Sequence, residues 1–155
     1  MADCGARYEI HHAGRASLGF HARTAHAMIA GIGTDIVSVV RIRRALERHG
    51  ARFARKVLAD SEWSTYCELA DGTAFVAKRF AAKEAFYKAL GQPSSAANTW
   101  HQLAVVNEKS GRPRLSFGAG LTSLLACEGI CAWHLSLADE QDHAIAFVVL
   151  EKDVT

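Results

Sequence analysis

The sequence predicts an α+β domain with a mostly antiparallel sheet and helices packed on one side, and three observations carry that prediction. A β-rich run with glycines, IAGIGTDIV, comes first; helical periodicity then holds from Ser38 to Leu90; runs of period two around turn residues close the chain. With 155 residues, half of them hydrophobic, the chain can build one domain with a real core. Nothing in this order suggests a Rossmann unit.

Residues 1–27 hold four of the eight histidines (His11, His12, His21, His26) and no periodicity lasting two turns. They read as an N-terminal extension, disordered or a tail, and residues 28–155 as the domain. The tail lacks a clean apolar stretch, which argues against a signal peptide. After the first strand, Val39, Ile42 and Leu46 share one helical face, with Ser38 as N-cap and Gly50 as the stop. Phe53 and Val57 extend the helical pattern by a turn or two. Asp60 or Ser61 is expected to cap a short helix anchored by Trp63 and Tyr66, and the loop at Asp71-Gly72 leads into a long helix, Thr73 to Leu90, ended by Gly91. Leu103 to Asn107 and Arg114 to Phe117 flank KSGRP and predict a hairpin. A helix from about Ala119 to Glu128 stops at Gly129. The last hairpin runs from Trp133, turns over Asp139 to Asp142 and returns along Ala144 to Leu150.

No run of eighteen or more apolar residues exists, so a soluble protein is expected. Cys4, Cys67, Cys127 and Cys131 follow neither C-x-x-C nor zinc-finger spacing and read as free thiols in a reducing cytosol. Charge is uneven: Ser38 to Leu58 holds seven Lys/Arg against one acid, Glu47, while the whole chain is only +2. An excess of that kind concerns partners rather than fold.

The long helix contains FAAKEAFYKALG, in which Ala77, Ala81, Glu84, Lys88 and Gly91 form one stripe. All but the charged pair are small, so the stripe would admit a backbone or a ligand. By itself the pair is also an ordinary i, i+4 surface bridge. The other chemical stretch is GIGTDIV, where Asp35 sits inside an apolar strand and needs a counter-charge or a metal; by itself it could equally cap the following helix. Two carboxylates are what Mg²⁺ usually takes from a protein, with phosphate oxygens and waters completing the octahedron, and a nearby Lys88 would meet the same phosphate.

In sequence, G-I-G-T-D-I, a basic helix, L-A-D-S-E-W, A-K-R-F-A-A-K-E-A-x-x-K-A-x-G, G-R-P and W-H-x-S-L resemble the holo-acyl-carrier-protein synthase family from Met28 to about Glu151. The resemblance implies the 4′-phosphopantetheinyl transferase fold. It also implies transfer of the 4′-phosphopantetheine of coenzyme A to a serine of an apo acyl carrier protein, releasing adenosine 3′,5′-bisphosphate in the cytoplasm. Asp35 and Glu84 would bind Mg²⁺, and Lys88 the pyrophosphate and the transferring phosphoryl group; the base is Glu84 or a water held by Asp35. Arg79, Lys83, Gly111, Arg112, Pro113 and His134 would meet coenzyme A. Acyl carrier proteins are acidic, and Arg41, Arg44, Arg48 and Arg52 would dock one. Members are typically homotrimers with active sites between subunits. The carrier could serve fatty acid biosynthesis, polyketide synthesis or other lipid metabolism. The alternative is a non-catalytic trimeric homologue that binds coenzyme A or the carrier. A nucleic-acid-binding module ranks lower, because no stacking aromatics interleave with the arginines. The chain departs from many members in reading GQPSSAANTW where they have G-T-G-I, and in carrying Asp139 where some have a second histidine.

Overall fold

The computed structural model describes residues 27–91 and 100–153. The expected extension, all but its last residue, lies outside them. Strand β1 (Ala27–Ser38) is followed by α1 (Val39–His49), α2 (Ala51–Val57), α3 (Asp60–Cys67) and α4 (Thr73–Leu90). After a single 3₁₀ turn (Trp100–Gln102) come β2 (Leu103–Asn107), β3 (Pro113–Phe117), α5 (Ala119–Cys127), β4 (Ile130–Glu140) and β5 (His143–Asp153). All strand pairs are antiparallel, but they form two sheets: a three-stranded one in the order β1-β5-β4, and the β2-β3 hairpin. The α+β expectation holds, with its one sheet divided in two. Among the described residues no helix is long and apolar enough to cross a membrane.

Local chemistry explains the helix ends. Ser38 has extended backbone and its hydroxyl accepts the N–H of Arg41, while Gly50 takes φ +54° and donates its N–H to Leu46 O at 2.7 Å. Gly91, at φ +70°, closes α4 in the same way. Helix α3 departs from expectation: it begins one residue earlier, with Ala59 as the cap residue. The reason is Glu62, whose Oε2 reaches back to accept the Ala59 N–H at 2.8 Å and so does the capping from inside the helix.

Helix α4 lies across the inner face of the three-stranded sheet, where Val37, Ala144, Ala146, Val148, Leu150 and Leu135 are all buried. The sequence asks for something small to approach the glycines of β1, and the partner is this helix. A Cβ on Gly33 would stand 1.9 Å from Ala85 O, and one on Gly31 the same distance from Ala89 O. The small face that meets the strand therefore includes Ala85 and Ala89, rotated slightly from the stripe the sequence suggested. Strand and helix run antiparallel, since Gly31 sits by Ala89 and Gly33 by Ala85.

Gly33→Ala should therefore force β1 off α4 and destabilise the fold by about 1–3 kcal/mol or more. Chemical denaturation measures this, and a variant as stable as the parent would show that the strand can retreat at no cost.

Candidate active site

Asp35 is two residues beyond Gly33 and shares its inward orientation, so the antiparallel run sets it level with the turn of α4 that carries Glu84. Its carboxylate is largely shielded, and Oδ1 accepts the Lys88 ammonium at 2.7 Å. Lys88 also donates to Thr34 O at 3.0 Å while its side chain stays half exposed. The ordinary i, i+4 bridge is absent: Lys88 turns to the strand. Among the described residues the Glu84 carboxylate, half-buried, takes no hydrogen bond or ion pair. The tertiary fold thus joins Asp35 to Lys88, and Glu84 lies one turn before Lys88 on the same side of α4.

That donor set suits a hard cation with a hydrated, phosphate-bearing shell. Among the described residues one carboxylate has no hydrogen bond or ion pair and the other is held through a single oxygen, leaving two anionic ligands. No cluster of three or more His, Cys, Asp or Glu occurs among the described residues, so a protein-only cage of the zinc type is not built here.

Next to Glu84 on the helix, the expectation for Lys83 needs correction. Its side chain is fully buried and its ammonium donates to Val57 O at 2.6 Å, to Glu62 Oε2 at 2.9 Å and to Trp100 O at 2.9 Å. An ammonium has only three protons, so none remains for coenzyme A. Burial pushes its pKa down, opposed by the Glu62 charge. Glu62, which the sequence reading passed over, also accepts the Val105 N–H through Oε1 at 2.7 Å. The signal for it was an acid at the third position of a helix start, in DSEW.

Arg79 shares Glu62, with its Nε 3.9 Å from Oε1, and stacks its guanidinium on Phe75 at 3.8 Å. Two buried cations thus share one buried carboxylate. Among the described residues Arg79 Nε has no hydrogen-bond acceptor. Burial lowers the Arg79 pKa, yet a guanidinium stays charged. The residue lines a cleft of about 600 Å³ with Lys78, Phe75 and Asn107. Lys78 is held there by Asp139 at 3.1 Å, the position where some relatives carry histidine.

Gly111, at φ +85°, makes the β2-β3 turn, and Arg112, Pro113 and His134 line a second cleft of about 410 Å³. His134 Nε2 lies 3.2 Å from Glu151 Oε1. His134 pairs in register with Val149 on the outer face of the sheet, whereas Asp35 pairs with Ala146 on the inner face. One chain therefore does not bring these two groups together.

The basic segment is a surface. Arg41, Arg44, Arg48 and Arg52 are all exposed; Arg41 lies 6.0 Å from the Phe80 ring. Arg44, Arg48 and Arg52 have no ion pair among the described residues, whereas Arg43 is drawn to Asp71 and Arg55 to Asp60 and the Trp63 ring.

Residues 31–148 match the profile of the 4′-phosphopantetheinyl transferase superfamily. The chain belongs to that superfamily. Its phosphopantetheinyl transferase relatives include the holo-[acyl-carrier-protein] synthase of Aromatoleum aromaticum, 50% identical over 125 residues that cover 81% of this chain and 99% of the relative. The solved holo-[acyl-carrier-protein] synthase of Neisseria meningitidis superposes with a TM-score of 0.77 at 40% identity, covering 81% of this chain and 100% of the other. That of Bacillus anthracis, solved in complex with CoA (3′,5′-ADP), gives 0.66 at 32% identity over 81% and 99% of the two chains. The transferase fold expected from the sequence motifs is the one observed. Asp35, Glu84 and Lys88 all fall within the matched residues.

Lys83→Met would strand the Glu62 carboxylate in the interior and should cost about 3–5 kcal/mol. Urea denaturation reads this directly; a loss below about 1 kcal/mol, the worth of an exposed pair, would mean that the site is wet.

Proposed function

We propose that the protein transfers 4′-phosphopantetheine from coenzyme A to a serine hydroxyl of an apo acyl carrier protein, with Mg²⁺, releasing adenosine 3′,5′-bisphosphate. The observation that carries this reading is the Asp35–Lys88 contact beside a partner-free Glu84. Asp35 and Glu84 would hold the ion. Mg²⁺, when bound, orients the pyrophosphate and neutralises charge that builds on its oxygens. Lys88 spends two donors on Asp35 and Thr34, which fixes its ammonium and leaves one proton for a phosphate oxygen. The serine proton needs an acceptor, and a Glu84 carboxylate free of internal hydrogen bonds can supply one. The Arg79 guanidinium, whose Nε has no acceptor among the described residues, favours a coenzyme phosphate at the mouth of its cleft.

Gly111, Arg112, Pro113 and His134 would meet the coenzyme from a neighbouring copy, because the sheet separates their side from Asp35. The same outer face exposes Ile32, Ile36, Ile145 and Phe147, apolar side chains whose burial would drive assembly into the homotrimer that the resemblance implies. Arg41, Arg44, Arg48 and Arg52 would receive the acidic carrier, since their guanidinium groups stand out in solvent. Cys67, Cys127 and Cys131 are exposed and form no disulfide with one another, which suits a reducing cytoplasm. The carrier would serve fatty acid biosynthesis or a related lipid pathway.

Incubation with Mg²⁺, coenzyme A and several apo carrier proteins should give the phosphopantetheine adduct by mass spectrometry; no adduct on any carrier would overturn the reading. Asp35→Asn and Glu84→Gln should each reduce transfer by at least about 100-fold with circular dichroism unchanged. Reversing Arg41, Arg44 and Arg48 to Glu should raise the KM for the carrier and leave coenzyme A binding as it was, measured by calorimetry. Phe147→Asp should dissociate the assembly in light scattering and abolish transfer together with it.

A further inference from the structure

The Glu62–Lys83 pair does more geometrically than fill the interior. Lys83 ties α4 to the last carbonyl of α2, at Val57, and to the 3₁₀ turn at Trp100. Glu62 ties the same ammonium to the start of α3, at Ala59, and to β2, at Val105. Five elements thus converge on one buried ion pair with contacts of 2.6 to 2.9 Å. Lys83 is also the residue immediately before Glu84. Consecutive helical residues diverge by about 100° around the axis, so fixing Lys83 on the buried side fixes the direction in which Glu84 leaves the helix. The contact of β1 with Ala85 and Ala89 sets the distance of the helix from the strand but is made of backbone and methyl groups, which resist approach better than they resist sliding or rotation. Directional charge-assisted hydrogen bonds that link α4 to four other elements resist both.

We propose that Lys83 and Glu62 are positioning residues for the carboxylate pair: their ion pair sets the rotation and axial position of α4 at which Glu84 and Asp35 can share one divalent ion. Neither residue is a ligand of the ion. The inference rests on the transferase reading for its ion, but it concerns the geometry of two carboxylates and can be judged without turnover. Removing a group that orients metal ligands typically weakens metal binding by about 10- to 100-fold.

The test uses the full chain at low temperature, with Lys83→Met, Glu62→Gln and a control, Leu125→Ala, which weakens the core at α5, a helix that packs mainly on β3, β4 and the 3₁₀ turn and makes no hydrogen bond to the Glu62–Lys83 pair. Mn²⁺ affinity is read by electron paramagnetic resonance in the presence of coenzyme A, on protein shown to be folded by circular dichroism. Lys83→Met and Glu62→Gln should each bind Mn²⁺ at least about tenfold more weakly, and Leu125→Ala should bind as the parent does. In turnover the first two should need more Mg²⁺ for half-maximal rate, with the KM for the carrier unchanged. Parent-like Mn²⁺ affinity in folded Lys83→Met would overturn the proposal, as would equal weakening in Leu125→Ala. Should Lys83→Met not fold, Glu62→Gln, which keeps an acceptor for the Ala59 or Val105 amide, decides by the same comparison. A parent protein that binds Mn²⁺ but transfers nothing would sink the function and leave the positioning claim to the affinities. A parent that binds no Mn²⁺ would overturn both.

Discussion

The close contact of β1 with α4 is the constraint on which the rest of the structure depends. Two glycines allow the strand backbone to lie directly on a helix face that includes Ala85 and Ala89, with no side chain between them. An interior packed this tightly has few alternative registers, since any added methyl meets a carbonyl oxygen. Asp35 then has one place to go: the next inward position along the strand, at the rim of α4, where Lys88 receives it. A carboxylate inside an apolar strand is costly without a partner, and the register supplies that partner from a helix more than fifty residues away in sequence.

The charged residues of α4 divide by the side of the helix on which they leave it. Lys88 turns to β1, Glu84 stays half-buried, Lys83 goes into the interior, and Arg79 faces a cleft against Phe75. A helix with eleven buried residues has little surface for ordinary solvated charge, so each cation and acid on it is either satisfied internally or turned to an opening. Glu62 makes this possible. Its single carboxylate accepts two backbone N–H groups and one ammonium, and lies near a guanidinium. Arg79, sharing that carboxylate, keeps an Nε without an acceptor among the described residues at the edge of its cleft.

Much of the fold was legible from local sequence. Ser38, Gly50 and Gly91 mark helix ends because capping and left-handed φ are decided within a few residues. The two hairpins were legible because period-two runs and turn residues sit next to each other in the chain. The division into two sheets was not, because strand neighbours such as β1 and β5 are brought together by the whole chain. Of the site, Asp35, Glu84 and Lys88 stood out as residue types in quoted motifs. Lys83 was assigned to coenzyme A because it lies in the matched motif beside Glu84, and nothing within four residues of it names Val57, Glu62 or Trp100 as its acceptors.

The sequence by itself determined the α+β class, the order of elements, the basic surface helix and the inventory of carboxylates and cations available for phosphate chemistry. Only the tertiary structure decided how they pair: Lys88 with Asp35 rather than Glu84, Lys83 with Glu62, and His134 on the opposite sheet face from Asp35. The physical reason is range. Periodicity and capping act over one or two turns, whereas these pairings follow from the depth and register at which one helix settles on one strand, and that is set by two glycines and the small residues facing them.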